Sequence, residues 1–336
     1  MASRVFVTGG SGVIGAALVT RLVGEGEEVA GLARSDAAAA ALRSRGARAV
    51  RADLFDEAGL ARAMEGARLV YNVAGVNELC TADASAMYRV NVDGPVAVLR
   101  AAARAGVRRM VHTSSAAALG EATGTVGTED SPHRGWFLSH YERSKHDGEL
   151  AVLGAARELG LEAVSVNPSS VQGPGRASGT GRILLALIEG RLKLFLDTNL
   201  SLVDIDDCVQ GHLLAAGRGK PGARYLLNGI RLSAAEALAL LGRVLGVERH
   251  PRMLRPWVAR TAGAAVEVPF RVAHRRPPLC REMVRTLLHG HRYDGTRATR
   301  ELGLEYTPAE DTLRRLVLWA ASEGLIKSVP APVAPG

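Results

Sequence analysis

Residues 4–15 read Arg4-Val5-Phe6-Val7-Thr8-Gly9-Gly10-Ser11-Gly12-Val13-Ile14-Gly15, and this stretch decides the fold. Its apolar start predicts a strand, and apolar residues at helical spacing over 13–23 predict a helix. Glycines between a strand and a helix are typical of a dinucleotide-binding loop, with the pyrophosphate at the helix N-terminus. Gly9 would permit the tight turn, Gly12 the approach of the phosphates, and Gly15 close packing of helix on strand.

The residue after the second predicted strand, 28–33, is Arg34. An NAD site usually has an acidic residue at this point, which accepts hydrogen bonds from the ribose hydroxyls. The guanidinium of Arg34 suits a 2′-phosphate instead, so the sequence favours NADP, with NAD as the alternative. Asp36 could serve NAD if the loop curls back, and Arg34 could also be an ordinary surface arginine.

Composition sets the class of protein. A chain of 336 residues with 47% hydrophobic and 23% charged residues can form one or two globular domains. Aromatic residues make up only 4%, which argues against a carbohydrate-binding or base-stacking surface. The net charge of +8 is not gathered in one run, so we expect no nucleic-acid partner, and part of it can serve an anionic ligand.

The three cysteines, Cys80, Cys208 and Cys280, form no CxxC pair and are odd in number, so we expect neither a disulfide framework nor a zinc site. A reducing cytoplasm fits this pattern. The N-terminus leads straight into the first strand, leaving no room for a signal peptide, and no apolar stretch is long enough to span a membrane. The segment 253–272 is basic and partly apolar, and it predicts a core or lid helix rather than a membrane contact.

Short apolar strands alternate with helical stretches over the first 165 residues. Strands are predicted at 5–7, 28–33, 47–51, 69–73, 109–113 and 163–167, and helices at 13–23, 36–44, 57–64, 87–105 and 141–159. This alternation predicts an α/β fold, a doubly wound parallel Rossmann sheet of about seven strands with helices on both faces. Ligands then bind at the carboxyl ends of the strands.

The pattern is less regular after residue 167. A loop rich in Gly, Ser and Pro is predicted at 168–181, strands at 202–204 and 225–227, and helices at 183–190, 206–217, 234–245, near 257–266 and at 313–323. We therefore expect a Rossmann core at 1–167. A smaller, mostly helical region at 168–328 completes the core and forms the substrate pocket, and 329–336 is a flexible tail.

Tyr141 and Lys145 lie one helical turn apart and share a face of their predicted helix. A tyrosine has a pKa near 10, and a neighbouring cation lowers it by favouring the phenolate. Ser115 follows an apolar strand and can hydrogen-bond a substrate oxygen. We expect Tyr141 to exchange a proton, Lys145 to lower its pKa and hold the nicotinamide ribose, and Ser115 to orient the oxygen.

With these motifs the chain resembles the extended short-chain dehydrogenase/reductase family, in its dihydroflavonol-reductase-like and hopanoid-associated sugar-epimerase-like branch. The likeness extends to about Gly324 and includes the Asn-Pro-Ser-Ser segment at 167–170 followed by Gly173-Pro174. It implies that Asn91 braces the central helix. It also implies contacts to the cofactor from Thr8, Gly9, Gly12, Val13, Ile14, Gly15, Arg34, Asp53, Leu54, Val73, Ala74, Gly75, Thr113, Tyr141, Lys145, Pro168, Ser169 and Ser170.

Three residues depart from the family pattern. Asn72 and Asp204 stand where many members have histidine, and Gln172 replaces a tyrosine before Gly-Pro. We expect all three near the substrate, so the usual substrate is not assumed. The segments 120–140, 169–202 and 253–291 should form the pocket, and their apolar content favours a substrate less polar than a sugar nucleotide.

The function predicted from these features is NADP-dependent interconversion of a small-molecule ketone or aldehyde with its alcohol. One alternative is a nucleotide-sugar epimerase or dehydratase with tightly held NAD, in which Arg176, Arg182 and Arg191 would contact the diphosphate. Another is a catalytically silent NADP-sensing protein, which the presence of both Tyr141 and Lys145 argues against. We expect a homodimer formed through helices 87–105 and 141–159.

Several polar residues receive structural interpretations. His112 should be a core histidine, while His133 and His140 could contact substrate or pack a loop. The remaining histidines of the C-terminal half have no partners at metal-ligand spacing, so we predict no metal; these are His250, His274, His289 and His291. Asp206-Asp207 should cap a helix over 208–217.

Overall fold

A computed structural model describes residues 4–326, and a seven-stranded parallel sheet lies at its centre. Its strands are β1 (Arg4–Thr8), β2 (Glu28–Ala33), β3 (Arg48–Arg51), β4 (Leu69–Asn72), β5 (Arg109–Thr113), β6 (Glu162–Pro168) and β10 (Arg224–Leu227). The order is β3-β2-β1-β4-β5-β6-β10, so it reverses between β1 and β4. This confirms the predicted Rossmann fold and places the ligand crevice at the carboxyl ends of β1 and β4.

Helices cover both faces of the sheet. They are α1 (Val13–Gly24), α2 (Asp36–Arg43), α3 (Glu57–Ala63), α4 (Ser85–Tyr88), α5 (Gly94–Arg104), α6 (His140–Leu159) and α8 (Ile205–Arg218). Val5 and Val7 belong to the apolar core on one face, and Phe6 belongs to the core on the other. A strand buried on both faces is apolar at every position, which explains why β1 has no polar alternation.

The helix predicted over 87–105 is interrupted. A π-helical turn, Arg89–Asp93, separates α4 from α5. Asn91 lies in this turn with its side chain buried. The predicted helix is present, and the π-helical turn within it was not predicted, because apolar spacing does not reveal a one-residue insertion of this kind.

A second, smaller sheet lies beyond the carboxyl ends of the central strands. It contains β7 (Ser170–Gln172), β9 (Asn199–Asp204) and β11 (Ile230–Ser233), and it packs with α7 (Thr180–Ile188), α9 (Ala234–Leu245) and α12 (Ala309–Ser322). The segment predicted as a loop at 168–181 therefore contains a strand, β7, which pairs in parallel with β9. Three residues are too few for the sequence to show alternation.

The remaining elements form a cap, defined here as α10 (Pro256–Val272) and α11 (Arg281–His289). A two-stranded ladder of β8 (Leu194–Leu196) and β12 (Arg252–Leu254) leads into it. The sequence did not predict α11, β8, β11 or β12. The division at residue 167 stays a prediction, although β10 and α8 do complete the central layer, and the predicted tail at 329–336 lies outside the described residues.

The cysteine expectation was wrong. Cys80 and Cys280 form a disulfide with sulfur atoms 2.08 Å apart, while Cys208 is free and buried. The bonded cysteines are 200 residues apart in the chain, so no spacing rule could pair them. Between residues 4 and 326, no helix combines the length and the apolar character needed to cross a membrane.

Candidate active site

The glycine loop between β1 and α1 is closely packed. Gly9 has φ of +69°, and a methyl group added there would lie 2.6 Å from the Ala74 nitrogen. A methyl group on Gly15 would overlap the Gly9 carbonyl oxygen. The Gly12 nitrogen donates to that same oxygen at 3.0 Å. Larger residues at Gly9 or Gly15 would therefore deform the loop.

The start of α1 fits an anionic group. Gly12 is the N-cap and supplies no side chain to bond the first N–H groups, and the first turn contains no acidic residue. These N–H groups lack partners within the helix. Gly12 is exposed, and only one atom lies within 4 Å of a methyl group placed there. The loop with Val13 and Ile14 behind it can thus accept a pyrophosphate.

Thr8 joins the glycine loop to the segment after β4. Its hydroxyl donates to Asn72 Oδ1 at 2.6 Å and accepts from the Ala74 nitrogen at 3.1 Å. Asn72 is buried and its amide lies 3.0 Å from His112 Nδ1. Burial lowers the pKa of His112 to about 3, so this histidine is a neutral core residue as expected. Asn72 therefore supports the sheet, and its expected place beside the substrate stays a prediction.

The residues predicted for the adenosine end lie at the ends of β2, β3 and β4. Arg34 is exposed immediately after β2 and, within residues 4–326, forms no ion pair. Asp36 lies in the first turn of α2, and its carboxylate is 3.3 Å from the guanidinium of Arg51. Asp53 Oδ1 accepts from the Phe55 nitrogen at 2.8 Å, and Leu54 is half-buried beside it.

Ser115 and Tyr141 meet at the carboxyl end of β5. Ser115 begins the short 3-10 turn Ala116–Leu119, and Tyr141 lies in the first turn of α6. Burial raises the pKa of the Tyr141 hydroxyl, while a hydrogen bond from Ser115 and the charge of Arg176 lower it. The net shift is upward, so Tyr141 keeps its proton at neutral pH.

Lys145 lies one turn further along α6, and its Nζ donates to the Thr113 carbonyl oxygen at 2.9 Å. Burial lowers the pKa of Lys145 to about 8, against the opposing charge of Glu149. A methyl group on Gly75 would lie 3.1 Å from this Nζ, so the ammonium faces the loop after β4. The expectation that Lys145 lowers the Tyr141 pKa stays a prediction. The charge of Arg176 lowers that pKa.

Two buried asparagines hold these loops. Asn91 Oδ1 accepts from the Val76 nitrogen at 2.8 Å, and its amide donates to the Val76 oxygen and to Ser144 Oγ of α6. Asn167 donates to the Ser115 carbonyl oxygen at 3.1 Å and to Glu149. The segment containing Val73, Ala74 and Gly75 is thereby fixed relative to the helix that presents Tyr141 and Lys145.

The segment Pro168-Ser169-Ser170 leaves β6 beside this site. The Ser169 nitrogen donates to the Leu227 oxygen at 3.0 Å, and the Ser169 hydroxyl is buried without a partner among the described residues. Ser170 Oγ lies 2.9 Å from Thr180 Oγ1, and Gln172 donates to both oxygens. The predicted contact of this segment with the nicotinamide amide stays a prediction.

Gln172 also borders an apolar pocket between the small sheet and helices α7, α9 and α12. Its lining is mostly leucine, and includes Leu187, Leu202, Leu241 and Leu316. Gln172 Oε1 is buried and lacks a partner within residues 4–326. The expected place of Gln172 beside the substrate stays a prediction.

Asp204, the remaining departure, is a structural residue. It is fully buried as the N-cap of α8, accepts from the Asp206 nitrogen at 2.8 Å, and pairs with Arg315. Its expected position near substrate stays a prediction. The cap predicted for Asp206-Asp207 was misplaced, because α8 begins at Ile205. Asp206 pairs with Arg315, and Asp207 accepts hydrogen bonds from Thr307.

The expectation that His289 and His291 have no partners was wrong. They hydrogen-bond to Glu121 Oε1 at 3.2 and 2.6 Å, and Tyr293 Oη lies 2.9 Å from His291 Nδ1. Burial opposes ionisation of Glu121, but these hydrogen bonds outweigh it and lower the pKa to about 2. The three ligand-type atoms lie within 4.8 Å of one another. His289 and Glu121 are 168 residues apart in the sequence, so the spacing of residues along the chain could not reveal their contact.

The cap meets the segment before Tyr141, a contact that the sequence did not reveal. Glu282 of α11 accepts from the His140 nitrogen at 2.6 Å and from the Cys80 nitrogen at 2.8 Å. Arg285 donates to the Leu138 oxygen at 2.8 Å. His133, by contrast, stacks in its own loop at 4.7 Å from Phe137, measured between ring centres. The cap therefore borders the site from the side of α6.

Comparison with known proteins supports this reading. A model of the NAD dependent epimerase/dehydratase family matches residues 5–227. A Synechocystis sp. protein named as a dihydroflavonol 4-reductase is 32% identical, with 98% of this chain and 97% of that protein covered. Sterol demethylase protein B of Methylococcus capsulatus is also 32% identical, covering 95% and 99%. The crystal structure of gox2253 superposes with a TM-score of 0.84 at 29% identity, covering 97% and 100%.

A glycine loop at the sheet crossover, facing a serine, tyrosine and lysine on β5 and α6, defines a nicotinamide-dependent oxidoreductase of the extended short-chain dehydrogenase/reductase type. The chain belongs to the NAD-dependent epimerase/dehydratase family.

Proposed function

We propose that this protein is an NADP-dependent reductase of an apolar ketone or aldehyde, acting also in the reverse direction. One observation carries the proposal: Ser115 and Tyr141 come together at the carboxyl end of β5, near enough for the Ser115 hydroxyl to lower the Tyr141 pKa. A carbonyl oxygen placed between these two hydroxyls would receive a hydrogen bond from one and a proton from the other.

Tyr141 is the proton donor in reduction, and its raised pKa suits that role because the hydroxyl stays protonated at neutral pH. Ser115 orients the substrate oxygen. The nicotinamide cofactor, when bound, supplies or accepts the hydride. Arg176 stabilises the phenolate that remains after proton transfer, because its charge already favours ionisation of Tyr141.

Lys145 is proposed to hold the nicotinamide ribose. Its ammonium has three donors, and one is used by the Thr113 oxygen. The other donors face the loop of Val73, Ala74 and Gly75. Gly75 has no side chain that would come between this loop and Nζ. Thr113, Pro168, Ser169 and Ser170 complete the proposed contacts on the nicotinamide side.

NADP is favoured over NAD by the charges after β2. Arg34 is exposed and forms no ion pair with any residue from 4 to 326, so its guanidinium can meet a 2′-phosphate. Asp36, the acidic alternative, lies near Arg51 instead. Asp53 and Leu54 are proposed to contact the adenine.

An apolar substrate is supported by the names of relatives and not by a cavity, because the small apolar cavity beside Gln172 is lined by none of Ser115, Tyr141 and Lys145. The names of two relatives refer to a dihydroflavonol and a sterol, both largely apolar ring systems. Arg176, expected for a diphosphate in the epimerase alternative, faces Tyr141, and Arg191 pairs with Glu189.

Calorimetry on the purified protein tests the cofactor. We expect NADPH to bind more tightly than NADH, and Arg34→Ala to remove most of that preference. Arg43→Ala, an exposed arginine at the other end of α2, is the matched control and should leave it unchanged. A preparation that already carries tightly bound NAD(H) would overturn the proposal in favour of the epimerase alternative.

Turnover of apolar ketones tests the catalytic assignment. Tyr141→Phe should lower kcat about 10²–10⁴-fold while NADPH still binds, because it removes the proton donor. Tyr88→Phe is the control, since Tyr88 is also near α6 but hydrogen-bonds only to His140. Full activity of the Tyr141→Phe variant would refute the assignment. Cofactor binding with no turnover of any carbonyl by the unmodified protein would favour the sensor alternative.

We also propose a homodimer through α5 and α6. Leu150 of α6 is about half exposed, so a second copy could pack on it. Sedimentation velocity should give a dimer that Leu150→Glu weakens. A monomer at all accessible concentrations would contradict this arrangement.

A further inference from the structure

One stripe on the solvent-facing side of α10 in the cap has no charged residue, and the exposed Arg260 lies beside it. The positions of this stripe are Trp257, Thr261, Ala265, Val268 and Val272, which follow at intervals of four, four, three and four residues. All five are exposed, and Trp257, Val268 and Val272 are 61, 51 and 77% exposed. Residues at this spacing form one stripe of a helix. An ordinary surface helix would have charged residues along that stripe.

The opposite side of α10 is already used. Ala259 and Gly263 are buried, and a methyl group on Gly263 would lie 2.8 Å from Val284 of α11. The apolar outer stripe is therefore not the core face of a misplaced helix, because the helix has a separate face packed on its partner. It is a second apolar surface, and nothing within residues 4–326 covers it.

Arginines surround this stripe. Residues 251–281 contain seven arginines and a single acidic residue, Glu267. Glu267 is turned toward the inner side, where it pairs with Arg271 and Arg281. Four exposed arginines, in contrast, form no ion pair with any described residue: Arg252, Arg255, Arg260 and Arg275. The surface thus combines an apolar stripe with uncompensated positive charge.

A neighbouring residue adds to the apolar part. Met253 of β12 lies four residues before Trp257 and is about half exposed, and Arg252, which precedes it, is exposed as well. Tryptophan with basic residues at the edge of an apolar surface is the composition that binds at a lipid headgroup boundary.

We propose that the outer face of α10 is a docking surface for an anionic phospholipid bilayer. Trp257, Val268 and Val272 insert at the acyl boundary, and the unpaired arginines contact lipid phosphates. The helix lies on the membrane and does not cross it. Docking is independent of the reaction, but it would hold the cap, and the site beside α11, at the surface where apolar substrates dissolve.

Co-sedimentation of the full chain with vesicles tests the proposal without any substrate or cofactor. We expect binding to vesicles of equal parts phosphatidylglycerol and phosphatidylcholine, little binding to phosphatidylcholine alone, and release by high salt. Absence of binding to the anionic vesicles, or equal binding to both kinds, overturns the proposal whatever the protein's activity.

Two double variants locate the surface. Trp257→Glu with Val268→Glu, and Arg255→Glu with Arg260→Glu, should each weaken vesicle binding at least tenfold while cofactor affinity and thermal stability stay unchanged. Leu318→Glu on α12 is the matched control, since Leu318 is exposed to the same extent as Val268. Unchanged vesicle binding by both double variants overturns the assignment to α10.

The oligomeric state supplies a measurement that does not depend on lipids. If Trp257→Glu with Val268→Glu converts a dimer into a monomer in sedimentation velocity, then a second copy covers the face and the membrane proposal is refuted. The expected result is an unchanged sedimentation coefficient.

Discussion

The nucleotide half and the cap are stabilised in different ways. In the nucleotide half, parallel strands exchange backbone hydrogen bonds, and two apolar cores fill the space beneath the helices. The cap is attached by individual side chains: a disulfide from Cys280, two bonds to Glu282, and one from Arg285. The first kind of stability is distributed over many residues, whereas the second depends on a few long-range pairs.

This difference implies that single substitutions affect the two regions unequally. Removing one pair should loosen the cap and leave the sheet intact. The nucleotide half should resist most changes, apart from those that add atoms where the chain is closest.

Loss of the disulfide should have the largest effect on stability. Cys280→Ser should lower the free energy of unfolding by about 2–5 kcal/mol, because the Cys80–Cys280 bond closes a very long loop. Thermal unfolding with and without reductant measures this. Cys208→Ser is the control, since it should retain the response to reductant that Cys280→Ser loses. A reductant response in the Cys280→Ser variant would mean that the bond does not form.

The oxidation state of Cys80 and Cys280 also bears on where in the cell the protein works. The cytoplasmic assignment stays a prediction, and disulfides are rare in a reducing cytoplasm. Protein alkylated at the moment of cell lysis should show whether Cys80 and Cys280 are oxidised where the protein works.

Glu121→Gln should produce the next effect, and it should depend on pH. The Glu121 carboxyl has a pKa lowered to about 2 from 4.5 when folded, so the folded state binds fewer protons than the unfolded state between these values. Its contribution, on the order of 3 kcal/mol, is complete above pH 4.5 and is lost as the pH falls toward 2. Denaturant unfolding at several pH values measures the difference between the two proteins.

Glu129→Gln supplies a control of opposite sign. Burial raises the pKa of the Glu129 carboxyl, against a hydrogen bond from the Leu226 nitrogen. The folded state then binds more protons, so this group's contribution falls as the pH rises above 4.5. The stability lost by each variant should therefore change with pH in opposite directions. If it changed in the same direction for both, the Glu121 cluster would not act through its carboxylate.

Gly15→Ala should break the nucleotide half at its closest contact. The added methyl group overlaps the Gly9 oxygen, and relief of that overlap must move the phosphate loop. We expect a stability loss of about 1–3 kcal/mol and a loss of cofactor binding. Calorimetry should show that NADPH binding is lost. Unchanged thermal unfolding of the cap would show that the effect is local. Normal binding would mean that the loop is softer than its packing indicates.

Gly24→Ala, in the same helix, should give the smallest effect and of the opposite sign. No atom lies within 4 Å of the added methyl group, so the change only favours helix. Stability should rise by at most about 1 kcal/mol. A clear loss on chemical unfolding would show that Gly24 has a contact that the structure does not account for.

The sequence predicted the regular part of the molecule well. The seven-stranded sheet, the glycine loop, and the meeting of Ser115 with Tyr141 follow from local apolar spacing and from motifs whose parts lie within one strand–helix unit. Asn91, Tyr141 and Lys145 were found because their positions are fixed by the helices that present them.

What it missed depends on contacts between distant residues. The Cys80–Cys280 bond, the Glu121 cluster and the salt bridge of Asp204 with Arg315 join parts of the chain that no spacing rule connects. From the sequence, Arg176 was considered as a contact for a diphosphate. Only the structure shows that its charge acts on the pKa of Tyr141. Short strands such as β7 and β12 were missed because three residues are too few for a periodic signal.

The Cys80–Cys280 bond makes a covalent ring of the chain between its two ends. Ser115, Tyr141 and Lys145 lie inside the ring, whereas the glycine loop and Arg34 lie outside it. A protease that cuts once in the segment 173–181 would therefore release no fragment, and the nicked protein would run at full mass on a gel until a reductant is added. The part of the chain with Ser115, Tyr141 and Lys145 would stay covalently joined to the cap although the backbone between them is cut.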